Sequence, residues 1–300
     1  MPWRGFYFSR LATMRPGPCR GPGRGNSLLC DVTFRPPVFQ SNRPLVFAHR
    51  GGAKLAPENT MAALDNGMAL GADGLEIDVQ LSADGVPVVI HDPTLERTTD
   101  RSGPVRDLTA SELAKVDAGF RLEIGGRYPF RGQGIGIPIL DDVLAKHPKT
   151  RVIIEMKGGQ PELARAVAAS IRKANAIDRS CVGSFHQSSI DTIRAENADV
   201  ITSASQEEAR WTLHRSWVRW PWISKQPYCA FQVPEHAGRM RVVSRAFVRQ
   251  VHRQGQVLQV WVVNDRDAIL RLLDWGVDGI ITDRPDIAVA TRDEWIGSRS

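Results

Sequence analysis

Three hundred residues with 42% apolar content and a net charge of +6 can build two average domains or one α/β barrel of roughly 250 residues. The apolar fraction is ordinary for a globular protein, and no run approaches the ~20 apolar residues needed to span a bilayer. The charge does not mark a nucleic-acid binder: residues 1–43 hold seven arginines and one acid, Asp31, so residues 44–300 sum to zero.

In chain order, residues 1–43 form a basic leader rich in Arg, Gly and Pro. It lacks the apolar stretch of ~7–15 residues that makes a secretory core. Its Arg-rich, acid-poor composition allows a mitochondrial-type leader, but Pro and Gly oppose an amphipathic helix, and a disordered extension is expected. Residues 44–300 are expected to form one catalytic body. Strand-like runs fall at Leu45–Ala48, Gly74–Val79, Val86–Ile90, Arg151–Met156, Cys181–Phe185, Val200–Ser203, Val257–Val263 and Gly279–Ile281. A further candidate strand near Phe231 leaves the count uncertain by one. Helical patterns at Thr60–Leu70, Leu163–Asn175, Ser188–Glu196, Ser244–Gln254 and Arg266–Trp275 separate most of them. This is the beat of a parallel sheet with helical crossovers, and eight units argue for closure into a barrel.

Two regions break the rhythm. Residues 93–140, after the third strand, read as an insertion with a short helix near Thr109–Ala118, begun by the capping box of Thr109 and Glu112. A lid or side wall over the barrel mouth is expected there. Residues Trp211–Tyr228 carry four of the eight tryptophans (211, 217, 220 and 222) with arginines between them. A packed helix-and-loop insertion is the plain reading; peripheral membrane contact through Trp211–Trp222 is the alternative. Cys19, Cys30, Cys181 and Cys229 show no metal-type spacing, which fits a reducing, cytoplasmic setting.

The chemistry gathers at predicted strand ends. His49 and Arg50 close the first apolar run. Glu76 and Asp78 alternate with Leu75, Ile77 and Val79, so both carboxylates share one face of a strand. Two such groups resist burial unless a cation lies between them. His91 and Asp92 end VPVVIHD, and Glu155 and Lys157 lie two apart in RVIIEMK. Three carboxylates, two histidines, an arginine and a lysine outline a metal-assisted phosphate site. Asn59 or Thr60 reads as a helix N-cap; Glu58 beside them is a candidate contact for a substrate hydroxyl. Trp261 is a candidate pocket wall, while Asp283 and Arg284 divide between holding the barrel end together and positioning substrate. Among the other histidines, only His186 directly follows a strand end.

Taken in order, HRG at 49–51, PENT at 57–60, EIDV at 76–79, HD at 91–92, RTT at 97–99, IEMK at 154–157, WVVND at 261–265 and TDRPD at 282–286 resemble the glycerophosphodiester phosphodiesterase family from about Leu45 to about Ala290. The resemblance implies a TIM (β/α)8 barrel, a divalent cation (Mg²⁺ or Ca²⁺), and hydrolysis of a small glycerophosphodiester to sn-glycerol 3-phosphate and an alcohol. It implies Glu76, Asp78 and Glu155 as metal ligands, His49 and His91 as the acid–base pair, and Arg50 and Lys157 as phosphate binders. The expected order is His49 as base and His91 as acid. A lysophospholipase D acting on lysolipids at a membrane surface is the alternative; a non-catalytic binding module would have little use for all seven residues.

Overall fold

The computed structural model describes residues 35–217 and 226–299. Its strands are β1 (Leu45–His49), β2 (Gly74–Leu81), β3 (Pro87–Val89), β4 (Arg151–Met156), β5 (Ser180–Ser184), β6 (Ala230–Pro234), β7 (His236–Ala237), β8 (Met240–Arg241), β9 (Val257–Trp261) and β10 (Gly279–Thr282). The helices are α1 (Met61–Ala69), α2 (Ala110–Leu113), α3 (Leu140–Lys146), α4 (Pro161–Lys173), α5 (Gln187–Glu196), α6 (Gln206–Trp217), α7 (Arg245–His252), α8 (Arg266–Trp275) and α9 (Pro285–Gly297). Parallel pairing runs β5-β4-β2-β1-β10-β9-β6. The gap between β5 and β6 is bridged by Val182↔Thr202 and Ser203↔Ala230, both parallel. Residues 202–203 thus act as the eighth stave of a TIM barrel.

The eight staves are not the eight read from the sequence. The apolar run Val86–Ile90 predicts a barrel strand, but β3 pairs antiparallel with β2, Val79 opposite Val89 and Leu81 opposite Pro87. The reason is the length of the connection. Only Ser82–Val86 separates the two strands, closed by a turn with Gly85 at φ 76° and a Ser82 N–H bond to the Val86 carbonyl. A parallel return needs a crossover of a dozen residues or more. The vacated place is taken by β6, the candidate near Phe231. The 93–140 insertion therefore follows the third strand in chain order but the second stave of the barrel. Within it the expected helix shrinks to α2, where both halves of the Thr109–Glu112 capping box are present.

Leu75, Ile77 and Val79 are fully buried with α1, α3, α4 and α5 residues in one outer layer, and a second layer joins β6, β9 and β10 to α7, α8 and α9. Residues 35–43, grouped with the leader by composition, pack against the barrel. A 3₁₀ turn at Pro37–Phe39 sends Val38 (0% exposed) and Phe39 (2%) among Leu45, Phe47, Ile153 and Ile281. Burying each of these side chains is worth roughly 1.5–3 kcal/mol, ample to order a short segment. Arg35 reaches Asp278 at 2.7 Å and Arg43 reaches Asp73 at 2.7 Å. Residues 1–34 and the 218–225 part of the Trp/Arg stretch, including Trp220 and Trp222, lie outside the described residues. Among the described residues no helix is long and apolar enough to cross a membrane.

Candidate active site

Strand alternation alone delivers the acidic pair: β2 turns Leu75, Ile77 and Val79 to the helices and Glu76 and Asp78 to the barrel interior. Asp78 lies opposite Glu155 in the register of β2 with β4. One oxygen each from Glu76, Asp78 and Glu155 meet within 4.8 Å of one another. Lys157 crosses the group, its Nζ 2.9 Å from Asp78 Oδ1 and 2.9 Å from Glu155 Oε1. Both oxygens are buried, and among the described residues the Lys157 ammonium is their one cationic contact at this distance. Three carboxylates converging from two strands, with one ammonium among them, fit a hard divalent cation.

Burial and the Asp78 charge push Glu76 up to about 7, against the pull of His49. Burial also raises Glu155, although Lys157 opposes it. Asp78 goes the other way: in spite of burial, Lys157 and Arg50 hold it well below the usual carboxylate range. Asn59 secures it, donating from Nδ2 to Asp78 Oδ2 at 2.9 Å and accepting the Asp78 N–H at 3.2 Å. The N-cap is Thr60, whose hydroxyl accepts from Ala63 N–H.

Arg50 stands at φ 52°, held by its N–H to the Glu76 carbonyl at 2.7 Å. The following Gly51, at φ 84°, runs so close to α1 that a Cβ would lie 2.5 Å from the Ala63 carbonyl carbon. That close approach explains the glycine. The Arg50 guanidinium places Nε 2.9 Å from Asp78 Oδ2 and Nη1 2.7 Å from Glu58 Oε1. Glu58 also takes two bonds from Arg97, at 2.7 and 2.8 Å, and these two arginines hold its pKa low against burial. Its carboxylate thus accepts from both arginines and orients Arg50.

The two histidines are mounted alike. His49 Nδ1 lies 2.6 Å from Asp283 Oδ1, and His91 Nδ1 lies 2.6 Å from Asp92 Oδ1. Each anchoring carboxylate is itself fixed: Asp283 by Asn264 Nδ2 at 2.9 Å, Asp92 by the Arg97 Nε–H. Asn264 Oδ1 in turn accepts from Thr282 Oγ1 and Asp283 N–H. With Nδ1 engaged, each ring has Nε2 left for chemistry; His49 Nε2 is 3.8 Å from Glu76 Oε2. Burial depresses His49, but Glu76 and Asp283 outweigh it and raise its pKa. Burial lowers His91, aided by Lys157 and Arg50.

A cavity of about 410 Å³ opens over this cluster. His49, Arg50, Glu76, His91, Glu155 and Lys157 line it, together with Phe185 and Trp261, which meet edge to face at 6.0 Å. A second, more open cavity of about 520 Å³ adjoins it across Trp261 and Val262. Of the residues singled out in the sequence, six of the seven chemical ones and Trp261 line this cavity, and the seventh, Asp78, is buried against Glu76 and Glu155. His186 caps α5 and is not part of the lining. Three polar partners were missed in these roles: Asn59 as the anchor of Asp78, and Asp283 with Asn264 as the mount of His49. Their one sequence signal is position, each being a polar residue just past a strand or inside a loop motif.

Carboxylates, an imidazole and fixed cations at the C-terminal ends of barrel strands, with His91 brought to them by the β3 return, are the construction of a TIM-barrel enzyme. The comparisons narrow this class. Residues 49–287 match the glycerophosphoryl diester phosphodiesterase family model. A glycerophosphodiester phosphodiesterase of Caldanaerobacter subterraneus is 33% identical over 252 residues, covering 82% of this chain and 97% of the relative. One from Bacillus altitudinis is 34% identical over 257 residues, 83% of this chain and 98% of the relative. Among solved structures, the glycerophosphoryl diester phosphodiesterase domain of an uncharacterized Mycobacterium tuberculosis protein superposes with a TM-score of 0.72 at 25% identity, over 84% of this chain and all of that one. An Oleispira antarctica phosphodiesterase in complex with the product sn-glycerol-3-phosphate gives 0.67 at 25% identity, over 84% and 97%. The chain belongs to the glycerophosphoryl diester phosphodiesterase family, and is an enzyme of the phosphoric diester hydrolase class.

Proposed function

We propose that this chain hydrolyses small glycerophosphodiesters to sn-glycerol 3-phosphate and a free alcohol, with a divalent cation held by Glu76, Asp78 and Glu155. The observation that carries the reading is the convergence of these three carboxylates within 4.8 Å of one another, beside Arg50 and Lys157. An all-oxygen donor set suits Mg²⁺ or Ca²⁺. When bound, the cation would supply Lewis-acid stabilisation of charge on the phosphoryl oxygens and offset the charge of Glu76 that favours imidazolium at His49. Arg50, with Nε and Nη1 engaged, offers Nη2 to the phosphate, and Lys157 adds a point charge. His49 Nε2 takes the proton of the nucleophile as its oxygen bonds to phosphorus. His91 Nε2 protonates the alkoxide as its bond to phosphorus breaks. Water or the glycerol 2-hydroxyl serves as nucleophile; the second route passes through a cyclic phosphate, visible by phosphorus NMR. Free thiols at Cys181 and Cys229 fit the proposed cytoplasmic setting.

A second reading, hydrolysis of lysolipids, is favoured by the adjoining cavity, whose walls include Pro234, Trp261, Val262, Val263 and Ala268. Product analysis separates the two. Glycerophosphocholine converted to glycerol 3-phosphate and choline, faster than lysophosphatidylcholine to choline, supports the first. Choline release from the lysolipid alone supports the second, and silence on both overturns the proposal.

A further inference from the structure

Residues 44–300 are neutral in sum, but their charge is not evenly spread. Between Glu235 and Asp265 lie five arginines (239, 241, 245, 249 and 253), two histidines, and no Asp, Glu or Lys. All five arginines are exposed, and none forms an ion pair among the described residues. Arg241 instead donates Nε–H to His236 at 3.4 Å and lies over the Trp275 ring. The carboxylates flanking this surface are engaged elsewhere: Glu235 with Arg271, Asp274 with Trp295 and Arg299, Asp278 with Arg35 and His252.

α7 puts three of these cations in line. Arg245, Arg249 and Arg253 are four residues apart, on the face opposite buried Phe247, Val248 and Val251. Like charges at this spacing weaken a helix. Arg245 is also the first helical residue, where a cation opposes the helix dipole. Asp274 feels the charge of Arg245 but is already bonded by Trp295 and Arg299, and no carboxylate pairs with Arg249 or Arg253 among the described residues. α6, which packs against α7, presents Trp211 at 61% exposure, its ring stacked on His214. Arginines and an exposed indole on adjoining helical flanks are the chemistry of a water–lipid boundary.

We propose that α7 and the neighbouring β7–β8 hairpin dock the protein on an anionic lipid bilayer, with Trp211 at the edge of the contact. The hairpin directly follows β6 at its C-terminal end, and Glu235 and His236 line the cavity beside the active site. Docking there sets the barrel's flank on the membrane, with the rim of that cavity at one end of the contact. The biological sense of this rests on the phosphodiesterase reading, since such substrates descend from phospholipids; the binding itself is measured without it.

The test is sedimentation of the full chain with vesicles of phosphatidylcholine alone or with about 30% phosphatidylglycerol, at low and high salt. The wild type is expected to pellet with the anionic vesicles only, and less at high salt. Replacing Arg245, Arg249 and Arg253 together by Ala should weaken partitioning by about 100-fold, given the contribution of each basic residue near an anionic surface. The Arg→Lys triple variant should bind as the wild type does, and all three proteins should hydrolyse free glycerophosphocholine within about twofold of one another, as expected for exposed substitutions away from the site. Wild type that stays in solution, or an Ala variant that binds equally well, overturns the proposal. Capture of a single-stranded oligonucleotide in place of vesicles overturns the lipid assignment. Vesicle binding without hydrolysis counts against the phosphodiesterase reading and supports the docking surface.

Discussion

Replacing Asp283 by Asn probes the mount of His49 with almost no change in shape. Asp283 Oδ2 accepts from Asn264 Nδ2 at 2.9 Å, while Oδ1 faces His49 Nδ1 at 2.6 Å. An amide at this position has one acceptor for two donors. If its oxygen stays on Asn264, its NH₂ faces the imidazole, which must then accept at Nδ1 and carry its proton on Nε2, the wrong tautomer for a base. If the amide turns over, two NH₂ groups oppose each other and a charge-assisted bond worth roughly 1.5–3 kcal/mol becomes a neutral one. General acid–base catalysis contributes about 10²–10⁴ in rate, so kcat should fall on the order of 100-fold or more, with KM changed less than about threefold. The Asp283 carboxylate raises the His49 pKa, so its loss also moves the acidic limb of the kcat/KM profile to lower pH. Steady-state release of glycerol 3-phosphate from glycerophosphocholine across pH 5–9 reads both effects. A kcat within threefold of wild type, with an unmoved acidic limb, would refute the mounting role.

Asn59→Ala removes both hydrogen bonds to buried Asp78 and should cost about 2–3 kcal/mol in urea unfolding, because a buried charge loses a donor; a cost below about 0.5 kcal/mol would contradict it. In the cation-free protein, Glu76 is pushed up from 4.5 to about 7, so the folded state binds more protons than the unfolded between these values. Its contribution is fully present below about pH 4.5 and is lost as pH rises to about 7, roughly 3 kcal/mol in all. Thermal melts in chelator should therefore fall across that window, and saturating Mg²⁺ or Ca²⁺ should raise Tm more at pH 7.5 than at pH 5. Equal shifts at both pH values would place the cation away from Glu76.

The sequence made the site more legible than the barrel's closure. His49, Arg50, Glu76, Asp78, His91, Glu155 and Lys157 stand out as candidates because each closes or alternates along an apolar run, and for Glu76, Asp78 and Glu155 strand alternation fixes the face. The same local signal misled at Val86–Ile90, since an apolar run says nothing of its pairing partner; the short connection at Ser82–Val86 was the overlooked clue. The Val200–Ser203 run, by contrast, is legible as a strand, and Thr202 and Ser203 form the two parallel bridges that close the barrel. The tie of Glu58 to Arg97, 39 positions away, is made only by the fold. Asn264 and Asp283 could not be tied to His49 for the same reason, with 234 positions between His49 and Asp283. The neutral sum over residues 44–300 likewise hid the arginine row of α7, because a sum discards position.

The central claim is that Glu76, Asp78 and Glu155 hold a cation on which phosphodiester hydrolysis depends. The most direct measurement is glycerol 3-phosphate release from glycerophosphocholine by wild type and Glu76→Ala, each with chelator and with added Mg²⁺ or Ca²⁺. Wild-type activity should vanish in chelator and return with the cation, while a folded Glu76→Ala protein should stay at least about 10²-fold down in every condition. Full activity in chelator, or a Glu76→Ala enzyme that turns over as the wild type does, would contradict the claim.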